Sequence, residues 1–110
     1  DIPIVAKLFD FHKTFHVYVG KFPKTDKYTI GQTIQSNTLQ LIELSIACTL
    51  MDNYAKKEHL AIANGKLDLL KLLVRLAFET RALDQKAYLI LEGQLQEAGR
   101  MFGGWLRSLR

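Results

Sequence analysis

The stretch DQKAYLILEGQLQEAGRMFGGWLRSL (84–109) places an apolar residue at every third or fourth position. These positions are Tyr88, Leu91, Leu95, Ala98, Phe102, Trp105 and Leu109. An unbroken alternation of three and four is the period of an α-helix that buries one face. Asp84 is a good N-cap because its carboxylate can accept a hydrogen bond from a free amide of the first turn. The stretch therefore predicts a long amphipathic helix.

The same period extends through the three preceding segments and predicts helices over 3–19, 29–54 and 57–81. The seam of the first reads Ile4, Leu8, Phe11, Phe15 and Tyr18, and that of the third reads Leu60, Ala63, Leu67, Leu70, Val74 and Ala77. Pro3 suits a first helical turn, and Thr29 with Gln32 has the spacing of a capping box. The third helix is predicted to continue through Asn64 and Gly65, because one glycine costs only about 1 kcal/mol against alanine. Short connections between long helices predict one all-α domain over 1–110, an antiparallel four-helix bundle.

Three residues are candidates for oligomer contacts or close packing. Asn37 is the polar member of the seam predicted for the second helix, which reads Ile30, Ile34, Asn37, Leu41, Leu44, Cys48 and Met51. A polar seam residue can fix register or oligomeric state. Gly99 and Gly103 stand four residues apart, a spacing that permits another backbone, of the same chain or of a second subunit, to approach closely.

Composition limits the class of protein. Of 110 residues, 48% are hydrophobic and 24% charged, which is ordinary for a globular chain. Fifteen basic and 11 acidic residues give a formal charge of +4, compatible with a polyanionic partner. The single Cys48 excludes an intrachain disulfide and fits a reducing cytosol. No membrane span or signal peptide is predicted, so we expect a cytoplasmic protein without membrane contact.

Enzyme chemistry has little support in the sequence. His12 and His16 are four residues apart and could share a metal, but only His59 and Cys48 remain as further soft ligands. No Glu-x-x-His pair of a di-iron bundle and no phosphate-binding G-x-x-x-x-G-K loop occurs. We therefore predict no catalytic residue, no metal site and no cofactor.

Basic residues are the candidates for binding. They are Lys21, Lys24 and Lys27 of the predicted connection 20–27, Lys71 and Arg75 of the third helix, and Arg100 and Arg107 of the fourth. Such groups can simply form solvated faces, whereas arginine forks also suit the phosphates of a nucleic-acid backbone. We expect contacts to phosphates and not to bases, because no exposed set of aromatic residues is predicted for stacking: Phe102 and Trp105 belong to the predicted core.

Apolar residues outnumber the positions that one core stripe needs. The third helix carries Leu69, Leu72, Leu73 and Leu76 outside its seam, and the second carries Leu39, Ile42 and Ile46. A wide core would absorb them, but extra apolar faces more naturally indicate a homo-oligomer.

Three blocks resemble the accessory variability determinant (Avd) family of diversity-generating retroelements: KFPKTDKYTIGQ (21–32), LLKLLVRLA (69–77) and EAGRMFGGWLRS (97–108). The resemblance implies a non-catalytic four-helix bundle, bacterial, archaeal or phage-encoded, that assembles as a homopentameric barrel. It also implies binding of the retroelement reverse transcriptase and its template-repeat RNA, or DNA, in mutagenic retrohoming. Thr33, where members often carry arginine, and Asn64–Gly65 depart from the family pattern.

A second interpretation remains open. The chain could be a structural bundle that oligomerises and binds protein partners only, similar to the four-helix proteins encoded in ribosomal-RNA intervening sequences. These proteins share the KFPK turn (21–24) and match the rest of the chain less well. Salt dependence separates the two functions, because phosphate binding weakens steeply with salt.

Overall fold

The computed structural model describes residues 2–109 and contains four helices. Helix α1 is Pro3–Val19, α2 is a continuous helical run over 24–48, α3 is Asn53–Glu79 and α4 is Gln85–Ser108. Each helix packs against its neighbours in the chain, and α1 also packs against α4, so the four helices form a closed ring of contacts. The bundle measures 44 × 22 × 21 Å. No strand occurs within 2–109. The predicted all-α four-helix bundle is confirmed for the single chain.

The core takes one stripe of side chains from each helix. Its largest fully buried members are Phe11, Phe15, Phe102, Leu8, Ile34, Leu41, Leu60, Leu67, Leu70, Leu91 and Leu95. Spacing predicted all of these positions, because each lies three, four or seven residues from the next on its helix. Some residues predicted on the seams lie half-buried at the edges of the core, among them Tyr18, Tyr88, Trp105 and Leu109. Across the described residues, no helix is long and apolar enough to cross a membrane.

The seam of α2 differs from the prediction at Asn37. The buried residues of this helix are Ile34, Thr38, Leu41, Ser45 and Cys48, so Thr38 occupies the core position predicted for Asn37. The Thr38 hydroxyl can be buried because it donates a hydrogen bond to the Ile34 carbonyl at 2.7 Å. Asn37 is half-buried and donates its amide to the Thr33 carbonyl at 2.8 Å. The seam assignment of Asn37 was wrong.

Helix α2 begins earlier than predicted, with an α-helical turn Lys24–Asp26 and a π-helical turn Lys27–Gly31 ahead of the α-helix Gln32–Cys48. Pro23 precedes the helix with φ −52° and ψ 146°, and its carbonyl accepts a hydrogen bond from the Lys27 amide at 2.9 Å. The predicted capping box is wrong, because the Thr29 hydroxyl lies inside the helix and donates to the Thr25 carbonyl at 2.6 Å.

The junction of α2 and α3 also lies elsewhere than predicted. Helix α2 ends at Cys48, and Asp52 caps α3 by accepting a hydrogen bond from the Ala55 amide at 2.9 Å. Helix α3 therefore starts at Asn53 and not at residue 57, and it runs unbroken through Gly65 as predicted. The predicted N-cap of α4 is confirmed, since Asp84 Oδ1 accepts from the Ala87 amide at 2.8 Å.

Candidate functional site

Two of the predicted binding residues lie at the edge between α3 and α4, and two more lie on α4 outside that edge. Lys71 and Arg75 of α3 line a groove of about 370 Å³ together with Asp68, Leu72, Tyr88, Glu92 and Gln96. Lys71 Nζ lies 3.2 Å from where a Cβ on Gly99 of α4 would stand. Arg100 and Arg107 do not line the groove; they lie about two turns apart on α4. We call the groove, together with these two flanking arginines, the α3–α4 groove; antiparallel packing of two chain segments creates it.

Two arginines of the α3–α4 groove are held by carboxylates of their own helix. Arg75 Nε donates to Glu79 Oε2 at 2.6 Å. Arg100 Nε donates to Glu97 Oε2 at 3.1 Å, and its Nη2 contacts the same oxygen. The hydrogen bond and charge of Arg100 lower the pKa of Glu97 below its ordinary value. Because both pairs are exposed and screened by solvent, each contributes little to stability, so competing anions can replace either carboxylate.

Lys71 and Arg107 differ from the two paired arginines. Among residues 2–109, neither of them forms an ion pair within 4.0 Å. Each places its charged head beside a glycine: Arg107 Nη1 lies 3.3 Å from where a Cβ on Gly103 would stand. Within the described chain, Gly99 and Gly103 thus accommodate side chains, and the predicted approach of another backbone of the same chain is wrong. Contact with a second subunit at these glycines stays a prediction.

The three lysines predicted for binding in the connection 20–27 lie elsewhere. Lys21 follows α1, Lys24 opens α2 and Lys27 begins its π-helical turn, so Lys24 and Lys27 are helical and not in a loop as predicted. Within 2–109 none of the three forms an ion pair within 4.0 Å. In the ring of helices, the α1–α2 edge lies across the bundle from the α3–α4 edge. The predicted cations therefore form two separate surfaces.

A second groove, of about 440 Å³, lies where the end of α1 meets the start of α2. Its lining residues are His16, Val19, Gly20, Lys27, Tyr28, Gln32 and Gln35. We call it the π-turn groove. Gly31 allows the two helices to meet here, because a Cβ at this position would lie 2.6 Å from Val19 Cγ2.

Exposed aromatic side chains were missed by the sequence analysis. Phe102 is buried as predicted and Trp105 is half-buried, but Tyr28 is 64% exposed and Tyr54 86% exposed. The expectation that stacking platforms are lacking is therefore wrong. The signal was available in the sequence, since Tyr28 precedes the first seam residue, Ile30, by two positions and so falls on another face.

Among the side chains considered as metal ligands, Cys48 is buried, His12 and His59 are half-buried and His16 is exposed. Cys48 is fully buried in the core, and burial raises the pKa of its thiol although Lys56 acts in the opposite direction. His12 is half-buried on α1, and burial together with the charge of His16 lowers its pKa. Its Nε2 has no hydrogen-bond partner within 2–109. The neutral imidazole is therefore favoured at His12.

The fold and its surfaces define a small helical-bundle protein with basic groups on two opposite edges. The chain belongs to the bAvd-like family, whose sequence model matches residues 3–109. This match confirms the resemblance carried by the three sequence blocks. Family membership indicates an accessory, non-catalytic kind of protein associated with diversity-generating retroelements. A search among curated proteins finds no match.

Proposed function

We propose that this protein is a cytoplasmic accessory factor of a diversity-generating retroelement. In this role it binds the reverse transcriptase and the template-repeat RNA, or its DNA copy, and supports mutagenic retrohoming without catalysing a step itself. The observation that carries the proposal is that Lys71 and Arg75 line the groove between α3 and α4, with Arg100 and Arg107 further along α4. Membership of the bAvd-like family supplies the biological setting.

The α3–α4 groove suits a phosphate backbone for a geometric reason. Its cations follow the long axes of two packed helices and so form a stripe, as an extended polyanion requires. Lys71 and Arg107 make the first contacts, since neither is held by a carboxylate among residues 2–109. Arg75 and Arg100 join by exchanging Glu79 and Glu97 for phosphate, because arginine binds either anion through the same fork.

Self-association strengthens this function. The outer face of α3 exposes Ile62, Leu69 and Leu76, each by 41–51% of its surface, and such a ridge favours burial against another copy. We propose a homo-oligomer, with five subunits as the resemblance implies. Asn37, Gly99 and Gly103 are its candidate contact residues. Symmetry would multiply the charge of +4 per chain and the number of phosphate contacts.

A charge-matched pair of variants tests the nucleic-acid function. The Lys71→Gln/Arg107→Gln variant removes two cations from the α3–α4 groove. The control, Lys13→Gln/Lys66→Gln, removes two from other edges: Lys13 pairs with Asp10 on α1 and Lys66 contacts Gln40 on α2. Binding of template RNA is measured by anisotropy between about 50 and 200 mM salt.

We expect the groove variant to bind RNA more weakly, with a salt slope reduced by about two per engaged subunit, and the control to keep both values. Equal loss in both variants would show a diffuse charge effect and contradict the groove. If the wild type binds no RNA at low salt yet copurifies with the reverse transcriptase, the protein-only function replaces this one. The exposed ridge on α3 would then be the surface to test.

A further inference from the structure

The π-turn groove has features that phosphate binding alone does not require. A π-helical turn such as Lys27–Gly31 is rare and is found frequently at functional sites. This turn carries the exposed ring of Tyr28. Its last residue, Gly31, makes a close contact with Val19 of α1. Phosphate binding needs only cations. A groove that also presents an aromatic ring and side-chain amides, as described below, suits a ligand with a flat ring and polar groups along its edge.

Tyr28 is the aromatic element of this surface. It is 64% exposed and lines both the π-turn groove and a neighbouring polar groove that contains Thr29, Thr33, Ser36 and Asn37. The ring thus forms a ridge between two depressions on α2. An exposed aromatic face can stack on any nucleobase, because every base has a π-face.

Side-chain amides stand beside the ring. Gln32 lines both depressions, and Gln35 lies one turn further along α2 in the π-turn groove. A glutamine amide offers a donor and an acceptor in one plane, which matches the exposed edge of an unpaired base. Such edges are reachable in single strands and are hidden in a duplex.

The charge around the groove matches a phosphate on either side of that base. Lys27 lines the groove, Lys24 is three residues before it, and Lys21 follows α1. Asp26 is the carboxylate nearest in sequence, and within 2–109 it forms no ion pair within 4.0 Å with any of the three. The local balance is therefore positive.

We propose that the π-turn groove binds an unpaired nucleotide of a single-stranded nucleic acid. Its base stacks on Tyr28 and meets the amide of Gln32 or Gln35, while Lys21 and Lys27 contact the adjoining phosphates. The proposal rests on the nucleic-acid function proposed above and assigns it a second surface, across the bundle from the α3–α4 groove. It also adds a base contact to what would otherwise be phosphate recognition.

Variants of exposed tyrosines test the proposal with the whole chain. The probes are fluorescent oligouridine and oligothymidine of about 12 nucleotides and an RNA duplex of the same length. Tyr28→Ala removes the stacking face, Tyr28→Phe keeps it, and Tyr54→Ala is the matched control at the opposite end of the bundle, where Tyr54 is 86% exposed.

We expect Tyr28→Ala to bind both single-stranded probes about tenfold more weakly, with an unchanged salt slope because no phosphate contact is lost. Tyr28→Phe and Tyr54→Ala should match the wild type, and duplex affinity should stay constant in all variants. Alanine favours helix more than tyrosine does, so the fold is retained, which circular dichroism verifies.

Three results would overturn the inference. If Tyr28→Ala binds oligouridine as the wild type does, the groove takes no base, and the nucleic-acid function of the α3–α4 groove still stands. A loss limited to the RNA strand would place the contact on the ribose hydroxyl and not on the base. If the wild type binds no probe even at low salt, the inference and the nucleic-acid function fail together.

Discussion

Gly31 stands so close to Val19 that a Cβ at position 31 would lie 2.6 Å from Val19 Cγ2 and 3.2 Å from the Asp26 carbonyl oxygen. Val19 is itself 6% exposed and β-branched, so it has little freedom to move aside. The contact joins the end of α1 to the π-helical turn of α2 and fixes how the π-turn groove is formed.

The first prediction concerns this contact. Gly31→Ala should lower the free energy of unfolding by about 1–3 kcal/mol, because the added methyl group overpacks a tight junction. Gly65→Ala is the control, since a Cβ there meets nothing within 4 Å. It should stabilise α3 by up to about 1 kcal/mol. Urea denaturation followed by circular dichroism measures both, and equal effects at the two glycines would contradict the close packing at Gly31.

The second prediction concerns pH. The pKa of His12 is lowered in the folded chain by burial and by the charge of His16. Over the range just below the ordinary histidine pKa of about 6.5, the unfolded chain therefore binds more protons than the folded chain. The free energy of unfolding should then fall as pH is lowered through this range.

His12→Gln tests that dependence directly. The variant should lose part of the decrease in unfolding free energy between about pH 7.5 and pH 5.5, while its stability near pH 8 serves as the reference. Denaturation midpoints across the pH series provide the measurement. A wild-type pH dependence in His12→Gln would place the responsible proton on another group.

The third prediction compares the contributions of Arg75 and Arg107 to RNA binding. Arg75 must leave Glu79 to meet a phosphate, whereas Arg107 forms no ion pair among residues 2–109. Arg107→Gln should therefore weaken RNA binding more than Arg75→Gln does. Glu79→Gln should strengthen binding, since it releases Arg75 and removes a repelling charge.

The Arg75→Gln/Arg100→Gln/Arg107→Gln variant should show the flattest salt slope with unchanged helicity. Unchanged RNA affinity and salt slope in that variant would identify this surface as the wrong one.

Sequence periodicity predicted the four helices because core positions on a helix repeat by geometry. It failed where hydrogen bonding or backbone form overrides the pattern. Thr38 looked like a surface residue, yet its hydroxyl is satisfied by the Ile34 carbonyl and can be buried. The start of α2 was missed because Thr29 and Gln32 have the spacing of a capping box, whereas the helix starts directly after Pro23.

The candidate site was predicted in part for a similar reason. The sequence identified all the cations but could not show that Lys71 reaches Gly99, because that contact depends on how α3 and α4 pack. It also missed Tyr28, because only Phe102 and Trp105 were considered as stacking residues. The count along α2 places Tyr28 off the seam, but it cannot show that the ring borders a groove, since that groove forms only where α1 packs against α2.

The last prediction is that the protein associates through the outer face of α3. Leu69 and Leu76 are seven residues apart on this face and are exposed in the single chain by 41% and 48%. Leu69→Glu/Leu76→Glu should give a folded monomer, because the substitutions place charges in the proposed interface and leave the core intact. Val17→Glu, at a side chain 61% exposed on α1, is the control and should leave association unchanged. Light scattering at micromolar concentration distinguishes the species. A monomeric wild type would contradict self-association. If the double variant is still oligomeric, the interface lies on another face of the bundle. Asn37→Leu on α2 then offers the next test, because a change in the number of subunits would place Asn37 in the interface.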